Sequence, residues 1–463
     1  MSKPSIPQGT RDFSPAEVRK RQYIFNMLKN IFELYGFQPL ETPAMENLVT
    51  LTGKYGEEGD RLIFKILNNG LHEKKDADKA KLNEEWAKLL GKPYSTPVIT
   101  ERALRYDLTI PFARFVVMRQ NDIAFPFRRY QMQPVWRADR PQKGRYREFW
   151  QCDCDVVGST SLINEAELLS IYREAFHQLK LPQVTVKINS RKILAGLSEL
   201  CGAPEKMMDI TIALDKLDKI GWDGVTKELL ERGIDEAGIE AIETIINVKG
   251  DNAEKLAQLK TIMSGSETAL AGIAELEQTL AYHEAISNKA WASDLRIDVS
   301  LARGLNYYTG VIVEVTTDAV KMGSIGGGGR YDDLTGLFGL KNMSGVGVSF
   351  GIDRIYDVLE ELNLFPTALE TGSKVLLLNF GGQNEAYALS ILGQLRNAGI
   401  AAEVYPDAAK FDKQMKYANK RNFRYVIIPG DDERAAGKLS LKNFETGEQQ
   451  LTGIAEAIDI LSS

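Results

Sequence analysis

A basic loop between two strand-like segments holds the densest set of anion-binding groups in the sequence. Residues 127–137 and Glu148–Val157 have strand character. The loop between them carries Arg140, Lys143, Arg145 and Arg147. Arginine forks bind phosphate and carboxylate groups through paired hydrogen bonds and keep their charge throughout. The segment therefore suits chemistry on phosphate or carboxylate groups, and an antiparallel hairpin is the structure that would present it.

The second strand of this hairpin is polar on one face. Side chains alternate along a strand, so Gln151, Asp153 and Asp155 share a face, while Cys152 and Cys154 point to the other. Composition alone favours a simpler interpretation, in which a solvated hairpin is held by ion pairs across its strands. Both interpretations are open on this segment alone.

Two further segments speak against an ordinary solvated hairpin. Arg303, Tyr307 and Tyr308 lie just before the strand-like residues 311–315. Glycines occupy all four positions of residues 326–329, where they would let the backbone come close to a ligand. A glycine run indicates little by itself, but the combination points to a binding site.

Several reaction classes lack their motifs. The sequence has no Gly-x-x-x-x-Gly-Lys-Ser/Thr stretch to hold a nucleotide and no Gly-x-Ser-x-Gly elbow of a hydrolase. The three histidines, His72, His177 and His283, stand too far apart for a His-x-x-x-His metal site, and the three cysteines lack zinc-site spacing. We expect buried thiols and no metal held by the protein itself.

Charge and hydropathy limit the partners. Lys and Arg number 57 against 63 Asp and Glu, a net charge of -6, so a nucleic acid would have to meet a local basic surface. No apolar run approaches the roughly 18 residues that cross a bilayer. The pattern predicts a cytosolic protein.

The elements that would position these groups are expected to form about three domains. The chain has 463 residues, and a domain usually has about 150. A capping box at residues 14–17 begins an amphipathic helix, and the prolines of residues 37–43 suit an edge strand or a strand terminus. Residues 191–294 have helical spacing and predict a helical insertion. Residues 372–463 alternate strand-like and helical runs, which predicts an α/β domain.

Taken in order, several stretches resemble the histidyl-tRNA synthetase family of class II aminoacyl-tRNA synthetases over nearly the full length. They are residues 8–12 (Gln-Gly-Thr-Arg-Asp), Pro43, residues 137–149, residues 303–308, residues 328–332 and residues 347–354. The resemblance implies an α+β catalytic domain with an antiparallel sheet flanked by helices, built from residues 1–190 and 295–365. It also implies that the C-terminal α/β domain binds the anticodon.

The implied activity is that of a histidine–tRNA ligase. ATP, with magnesium, would activate L-histidine to histidyl-adenylate and pyrophosphate, and histidine would then pass to the 3′ end of tRNA(His). The resemblance also implies a cytoplasmic homodimer. Arg140 and Gln142 would touch the tRNA acceptor end. A basic stripe in the C-terminal domain, namely Lys410, Lys413, Lys416, Lys420, Arg421 and Arg424, would contact RNA.

The resemblance assigns the phosphate chemistry to arginines. Arg137 would bridge the histidine carboxylate and the α-phosphate, and Arg303 would act on the α-phosphate, so these two are the expected catalytic residues. Arg145 and Arg354 would join Arg137 in binding ATP.

The resemblance also defines a histidine pocket. A neutral imidazole offers one donor and one acceptor nitrogen, so a selective pocket needs a fixed partner for each. Asp155 and Tyr308 would be that pair. The remaining implied histidine-binding residues are Asp107, Leu108, Thr109, Arg137, Gln151, Arg303 and Tyr307.

Some positions depart from the family pattern, and two rival functions need weighing. Asn306 stands where the family commonly has aspartate, and residues 138–139 (Ala-Asp) replace a pair with glutamate. A regulatory relative without ligase activity would be expected to lose its catalytic arginines or its C-terminal domain, and neither is lost here. A class II ligase for another amino acid would not be expected to carry residues 303–308.

Overall fold

The computed structural model describes residues 3–91, 96–291, 293–302, 307–370 and 374–462. Its helices are α1 (Pro15–Leu34), α2 (Leu48–Leu51), α3 (Gly56–Leu62), α4 (Asp76–Gly91), α5 (Thr109–Arg119), α6 (Ile163–Gln178), α7 (Arg191–Leu200), α8 (Met207–Leu214), α9 (Leu217–Glu231), α10 (Glu236–Ile246), α11 (Asn252–Ile262), α12 (Glu267–Ile286), α13 (Ile352–Glu361), α14 (Gly382–Asn397), α15 (Phe411–Lys420), α16 (Asp431–Ala435) and α17 (Ile454–Ser462).

The strands are β1 (Gln38–Pro39), β2 (Met45–Asn47), β3 (Lys65–Ile66), β4 (Arg102–Leu104), β5 (Phe127–Trp136), β6 (Glu148–Val157), β7 (Val184–Ser190), β8 (Asp294–Ile297), β9 (Val311–Thr317), β10 (Gly326–Tyr331), β11 (Gly345–Gly351), β12 (Val375–Leu377), β13 (Ala402–Val404), β14 (Tyr425–Ile428), β15 (Leu439–Asn443) and β16 (Gln449–Thr452).

Chain contacts divide the protein into two units. The first joins the segment up to Asp12 to Arg21–Leu364, and the second joins Phe13–Lys20 to the segment from Phe365 onward. The predicted boundaries of the helical insertion, residues 191–294, fall inside the first unit and stay a prediction. None of the helices in the described ranges is long and apolar enough to cross a membrane.

An eight-stranded sheet organises the first unit, with the order β1-β5-β6-β11-β10-β9-β7-β8. Its pairings are antiparallel except at the two edges, where β1 runs parallel to β5 and β8 runs parallel to β7. The hairpin predicted from the sequence is confirmed as β5 and β6. The proline-containing segment forms β1 at an edge of the sheet. Helix α12 packs against α6 and α7.

The second unit is an α/β structure, as the C-terminal pattern predicted. Its five strands have the order β13-β12-β14-β15-β16. Strand residues alternate between two cores: Val375 and Leu377 pack with residues of α14 and α17, whereas Leu376 packs with residues around α15. Apolar side chains on both faces of the central strands explain why helices cover both sides of this sheet.

Candidate active site

A cavity of about 370 Å³ is lined by residues of β6, β9, β10 and β11 in the first unit. Gly326, Gly327 and Gly328 of β10 line the cavity and leave the sheet bare of side chains there. Gly328 also lets β10 lie close to β11, because a Cβ atom on it would come within 2.2 Å of the Gly347 carbonyl oxygen. Eight of the predicted site residues line the cavity, namely Asp107, Thr109, Arg137, Arg145, Gln151, Tyr307, Tyr308 and Arg354.

Three arginines from separate elements gather at this cavity. Arg137 follows β5, Arg145 lies in the hairpin loop and Arg354 belongs to α13. Burial lowers the pKa of Arg354, and the neighbouring charges of Arg137 and Arg145 lower it further. Like charges held this close favour an anionic ligand that would neutralise them. The arginine end of the cavity therefore suits a polyphosphate.

Backbone contacts hold two of these guanidinium groups in place. Arg354 donates from Nε to the Gly144 carbonyl at 2.6 Å and from Nη1 to the Ser324 carbonyl at 2.6 Å. Arg137 donates from Nε to the Tyr106 carbonyl at 3.1 Å, and its guanidinium carbon lies 4.2 Å from the centre of the Tyr106 ring. Because none of these three bonds uses a carboxylate, both arginines keep their charge available to a ligand.

Gly144 explains how the loop approaches Arg354. Its φ of 69° lies in the left-handed region that favours glycine. A Cβ atom there would stand 2.3 Å from the Met322 sulfur. Arg145, next in the chain, donates to the buried Asp139 carboxylate at 2.6 Å and is 44 % exposed. The loop thus needs glycine at this position to pass Met322 and reach the Arg354 guanidinium.

A buried carboxylate, Asp107, lies among tyrosines at the cavity. Its Oδ1 accepts hydrogen bonds from the Tyr55 hydroxyl at 2.9 Å and from the Ile110 amide at 3.1 Å, and its Oδ2 accepts one from Tyr307 at 3.4 Å. Burial raises the pKa of Asp107, while these bonds and the Arg137 charge lower it. A fixed carboxylate of this kind can bind an ammonium group.

The polar face of β6 divides between cavity and core. Gln151 and Asp153 line the cavity, and Gln151 donates to the Ser349 hydroxyl at 2.8 Å. Asp155 does not line it: Asp155 Oδ1 accepts a hydrogen bond from Tyr331 at 2.7 Å, and Oδ2 lies 2.9 Å from Arg129 Nη2.

The different placement of Asp155 has a steric reason. Opposite it on β11 is Gly347, where a Cβ atom would stand only 1.9 Å from Asp155 Oδ1. The carboxylate has turned into the space that this glycine leaves. The role predicted for Asp155 at the imidazole stays a prediction.

The two adjacent tyrosines pack edge to face, with ring centres 4.9 Å apart. Tyr308 lies against β10, since a Cβ atom on Gly329 would come within 2.9 Å of its ring. Burial raises the pKa of Tyr308, and the charges of Asp155, Asp153 and Asp107 add to that effect. The hydroxyl therefore stays protonated and can donate a hydrogen bond in the cavity.

Other predicted residues lie elsewhere. Leu108 is fully buried, whereas Arg140 and Gln142 are exposed on the hairpin loop. Arg303 lies outside the described residues, and so does Asn306. The structure therefore places the predicted acceptor-end residues on an accessible loop and leaves the position of Arg303 open.

The sequence interpretation missed several lining or supporting residues. Ser349 could have been found, because it lies in the stretch 347–354 and pairs with Asp153 on β6. Asp139 and Glu314 also line the cavity. Tyr55 is remote in sequence and carries no local signal that would connect it to Asp107.

Comparison with known proteins shows the family of this chain. The family model described as histidyl-tRNA synthetase matches residues 98–355, and the model described as anticodon binding domain matches residues 374–463. A "Histidine--tRNA ligase" of Christiangramia forsetii is 57 % identical over 449 residues, covering 96 % of each chain. One of Bacteroides fragilis is 54 % identical over 461 residues, covering 100 % of this chain and 99 % of the relative.

A solved structure shares the fold over nearly the whole length. The crystal structure of histidyl-tRNA synthetase from Nostoc sp. PCC 7120 superposes with a TM-score of 0.81 at 30 % identity, covering 99 % of this chain and 98 % of the other. Fold, site and matches together define a class II aminoacyl-tRNA synthetase. More narrowly, the chain belongs to the histidyl-tRNA synthetase family. ATP-dependent ligation of histidine to tRNA is its activity.

Proposed function

We propose that this cavity performs both steps of histidine transfer and that its two ends divide the work. A histidine carboxylate oxygen attacks the α-phosphorus of ATP, a bond to that phosphorus forms, and pyrophosphate leaves. Neither step needs a covalent nucleophile from the protein, since positioning and cationic charge supply the catalysis. One observation carries the proposal: the same cavity is lined by the carboxylate Asp107 with its tyrosine partner Tyr307 and by Arg137, Arg145 and Arg354.

At the arginine end, Arg137 bridges the histidine carboxylate and the α-phosphate. Arg145 and Arg354 hold the rest of the triphosphate. Arg303 acts on the α-phosphate by resemblance to the family. Magnesium arrives with ATP as part of the substrate, and the Glu314 carboxylate in the cavity lining is an oxygen ligand of the kind that Mg²⁺ prefers. When bound, the metal would neutralise phosphate charge.

At the other end, Asp107, Thr109 and Gln151 bind the α-amino group of histidine, with the Leu108 backbone beside them. Tyr307 holds Asp107 in place. Tyr308 donates to the acceptor nitrogen of the imidazole. Asp155 accepts from the ring N–H once its carboxylate, which is bonded to Tyr331 in this structure, turns toward the cavity. A pocket whose buried polar groups are left unpaired by a wrong amino acid rejects it strongly.

The second step brings tRNA(His) to the cavity. The 3′-terminal ribose hydroxyl attacks the carbonyl carbon of histidyl-adenylate, and AMP leaves. Arg140 and Gln142, exposed on the hairpin loop, contact the acceptor end. In the second unit all six basic residues of the stripe are exposed on or beside α15, so they suit an RNA backbone. We propose a homodimer working in the cytoplasm, in keeping with the family.

The division between the two ends predicts opposite kinetic defects. Asp107→Asn should raise the KM for histidine about 10-fold or more in ATP–pyrophosphate exchange, with the KM for ATP little changed. Arg145→Ala should raise the KM for ATP by a similar factor, with the KM for histidine little changed. Asp122→Asn and Arg119→Ala are matched surface controls, since these side chains are 63 % and 61 % exposed. If each variant raised both constants equally, the assignment of ends would be wrong.

Arg303→Ala separates binding from chemistry. Because its proposed target is the charge that develops on the α-phosphate, we expect exchange to slow about 10²-fold with histidine affinity nearly normal. Rapid-quench formation of adenylate and calorimetric titration with histidine would measure the two quantities. Loss of histidine binding instead would place Arg303 in the amino-acid pocket.

A further inference from the structure

The N-terminal stretch 8–12 has no part in the reaction proposed above, and its residues do not line the cavity. Its backbone lies against the hairpin loop, where the Gly9 carbonyl accepts a hydrogen bond from the Arg147 amide at 2.8 Å. Gly9 has a φ of 84°, and a Cβ atom there would stand 2.8 Å from Arg147 Cγ and 3.0 Å from Pro141 Cγ. Glycine therefore lets the stretch lie directly on the loop that carries Arg145.

Arg11, in the same stretch, links this loop to helix α13. Its guanidinium carbon lies 3.6 Å from the centre of the Tyr146 ring, and its Nη1 lies 3.3 Å from Asp357 Oδ1. Its Nη2 donates to Asp353 Oδ1. A planar guanidinium suits these contacts, because it can stack on an aromatic ring while its N–H groups bind carboxylates. One side chain thus joins the loop to the helix.

The two carboxylates of α13 also hold the hairpin directly. The Tyr146 hydroxyl donates to Asp357 Oδ2 at 2.6 Å, and the Trp150 amide of β6 donates to Asp353 Oδ2 at 2.7 Å. Burial and the bond to Asp357 raise the pKa of Tyr146 to about 12, although the Arg11 charge lowers it, so the hydroxyl stays a donor. Arg11, Tyr146, Asp353 and Asp357 therefore form one connected network.

This network lies next to the two arginines proposed to hold the triphosphate. Tyr146 directly follows Arg145 in the chain, Asp353 directly precedes Arg354, and both Tyr146 and Asp353 line the cavity. The charge of Arg145 helps to lower the pKa of Arg354, so the two guanidinium groups repel each other before a ligand binds. Contacts between the loop and α13 must oppose that repulsion, and Arg11 contributes two of them.

We propose that Arg11 is a positioning residue for the β- and γ-phosphates of ATP, which fixes the spacing between Arg145 and Arg354 without touching the nucleotide. The inference rests on the proposed function, since it assumes that these two arginines hold the triphosphate. A ligand that binds both arginines depends on their spacing, whereas a ligand without those phosphates does not.

An adenylate analogue tests this role. Histidyl-sulfamoyladenosine, a stable analogue of histidyl-adenylate, has no β- or γ-phosphate. We expect Arg11→Gln to weaken ATP binding about 10-fold by calorimetry, while binding of the analogue changes by less than about twofold. The KM for ATP in pyrophosphate exchange should rise by the same factor as the ATP dissociation constant.

The Arg11→Gln protein should fold, because Asp353 keeps its hydrogen bonds from Arg21 and from the Trp150 amide. Arg11→Lys is the fallback. It keeps the charge but cannot stack on Tyr146 and bind both carboxylates, so it should cause a smaller loss of the same kind. Arg119→Gln is the matched control, since this side chain is 61 % exposed, and it should alter the binding of neither ligand.

A second variant tests the network itself. Tyr146→Phe keeps the ring beneath Arg11 and removes only the hydroxyl bond to Asp357, so ATP binding should weaken about 2- to 5-fold. Combined with Arg11→Gln, the loss should be smaller than the product of the two single losses, because both changes loosen the same contact. A loss equal to that product would mean that the two residues act independently and would contradict the network.

Two other outcomes would overturn the role of Arg11. Equal losses for ATP and the adenylate analogue would mean that Arg11 supports the whole cavity, and unchanged ATP binding would mean that the spacing of the two arginines does not depend on it. Failure of the proposed function would appear differently, as unaltered protein that shows no histidine-dependent exchange.

Discussion

Histidine-dependent pyrophosphate exchange is expected to slow about 10³-fold when Arg137 is replaced by alanine. Activation gathers negative charge between the histidine carboxylate and the α-phosphate, and Arg137 is the arginine proposed to touch both. Its guanidinium is held by the Tyr106 carbonyl and lies over the rings of Tyr106 and Phe149 before any ligand arrives. Because that orientation is already fixed, little reorganisation opposes the reaction.

The conservative variant sharpens this expectation. Arg137→Lys keeps a positive charge but loses the planar fork and the stacking over the rings, so it should recover little of the rate. The measurement is single-turnover adenylate formation at saturating histidine and ATP, with thermal unfolding followed in parallel. Exchange within about tenfold of the unaltered enzyme in both variants would show that another cation bridges the two substrates.

Much of the catalytic sheet could be predicted because its signals are local. The period-two alternation of β6 gave the correct faces for Cys152 and Asp153, and the prolines beside β1 placed that strand at an edge. The arginine end could also be predicted, since Arg137, Arg145 and Arg354 lie in stretches that resemble family motifs. Each of these inferences depends on residues close together in the chain.

The rest depended on contacts between distant segments. Alternation assigned Asp155 to the same face as Gln151, but the direction of its carboxylate is decided by Gly347 and Tyr331, which reach it through strand pairing. Tyr55 supports Asp107 from a separate element. Sequence periodicity describes which side of a strand a residue occupies, and it contains no information about which neighbour on that side binds it.

The same kind of distant contact supports the largest expected loss of stability. Glu165 of α6 is 2 % exposed and accepts two hydrogen bonds from the buried Arg330, from Nε at 2.5 Å and from Nη2 at 2.7 Å. Burial raises the pKa of Glu165, and the Arg330 contact opposes that rise. Arg330 lies in the glycine strand β10, and its carbonyl accepts a hydrogen bond from the Thr309 amide, next to Tyr308.

Glu165→Gln should therefore lower the free energy of unfolding of the first unit by about 3–5 kcal/mol, because it leaves the buried Arg330 charge with only the partly exposed Asp332 carboxylate, 3.9 Å away, as a counter-charge. The control lies on the same helix: Glu167 pairs with Arg128 at 2.8 Å, with both side chains about a quarter exposed, so Glu167→Gln should lower it by less than about 1 kcal/mol. Calorimetry of the first unfolding transition would compare the variants, because a chain with two units need not unfold in one step.

Replacing both partners, with Glu165→Met and Arg330→Met together, should destabilise less than Glu165→Gln alone, since no charge is then left unpaired. Equal stability of the Glu165→Gln and Glu167→Gln proteins would show that Arg330 finds another counter-charge. The Glu165–Arg330 ion pair would then not be what stabilises the contact between α6 and β10.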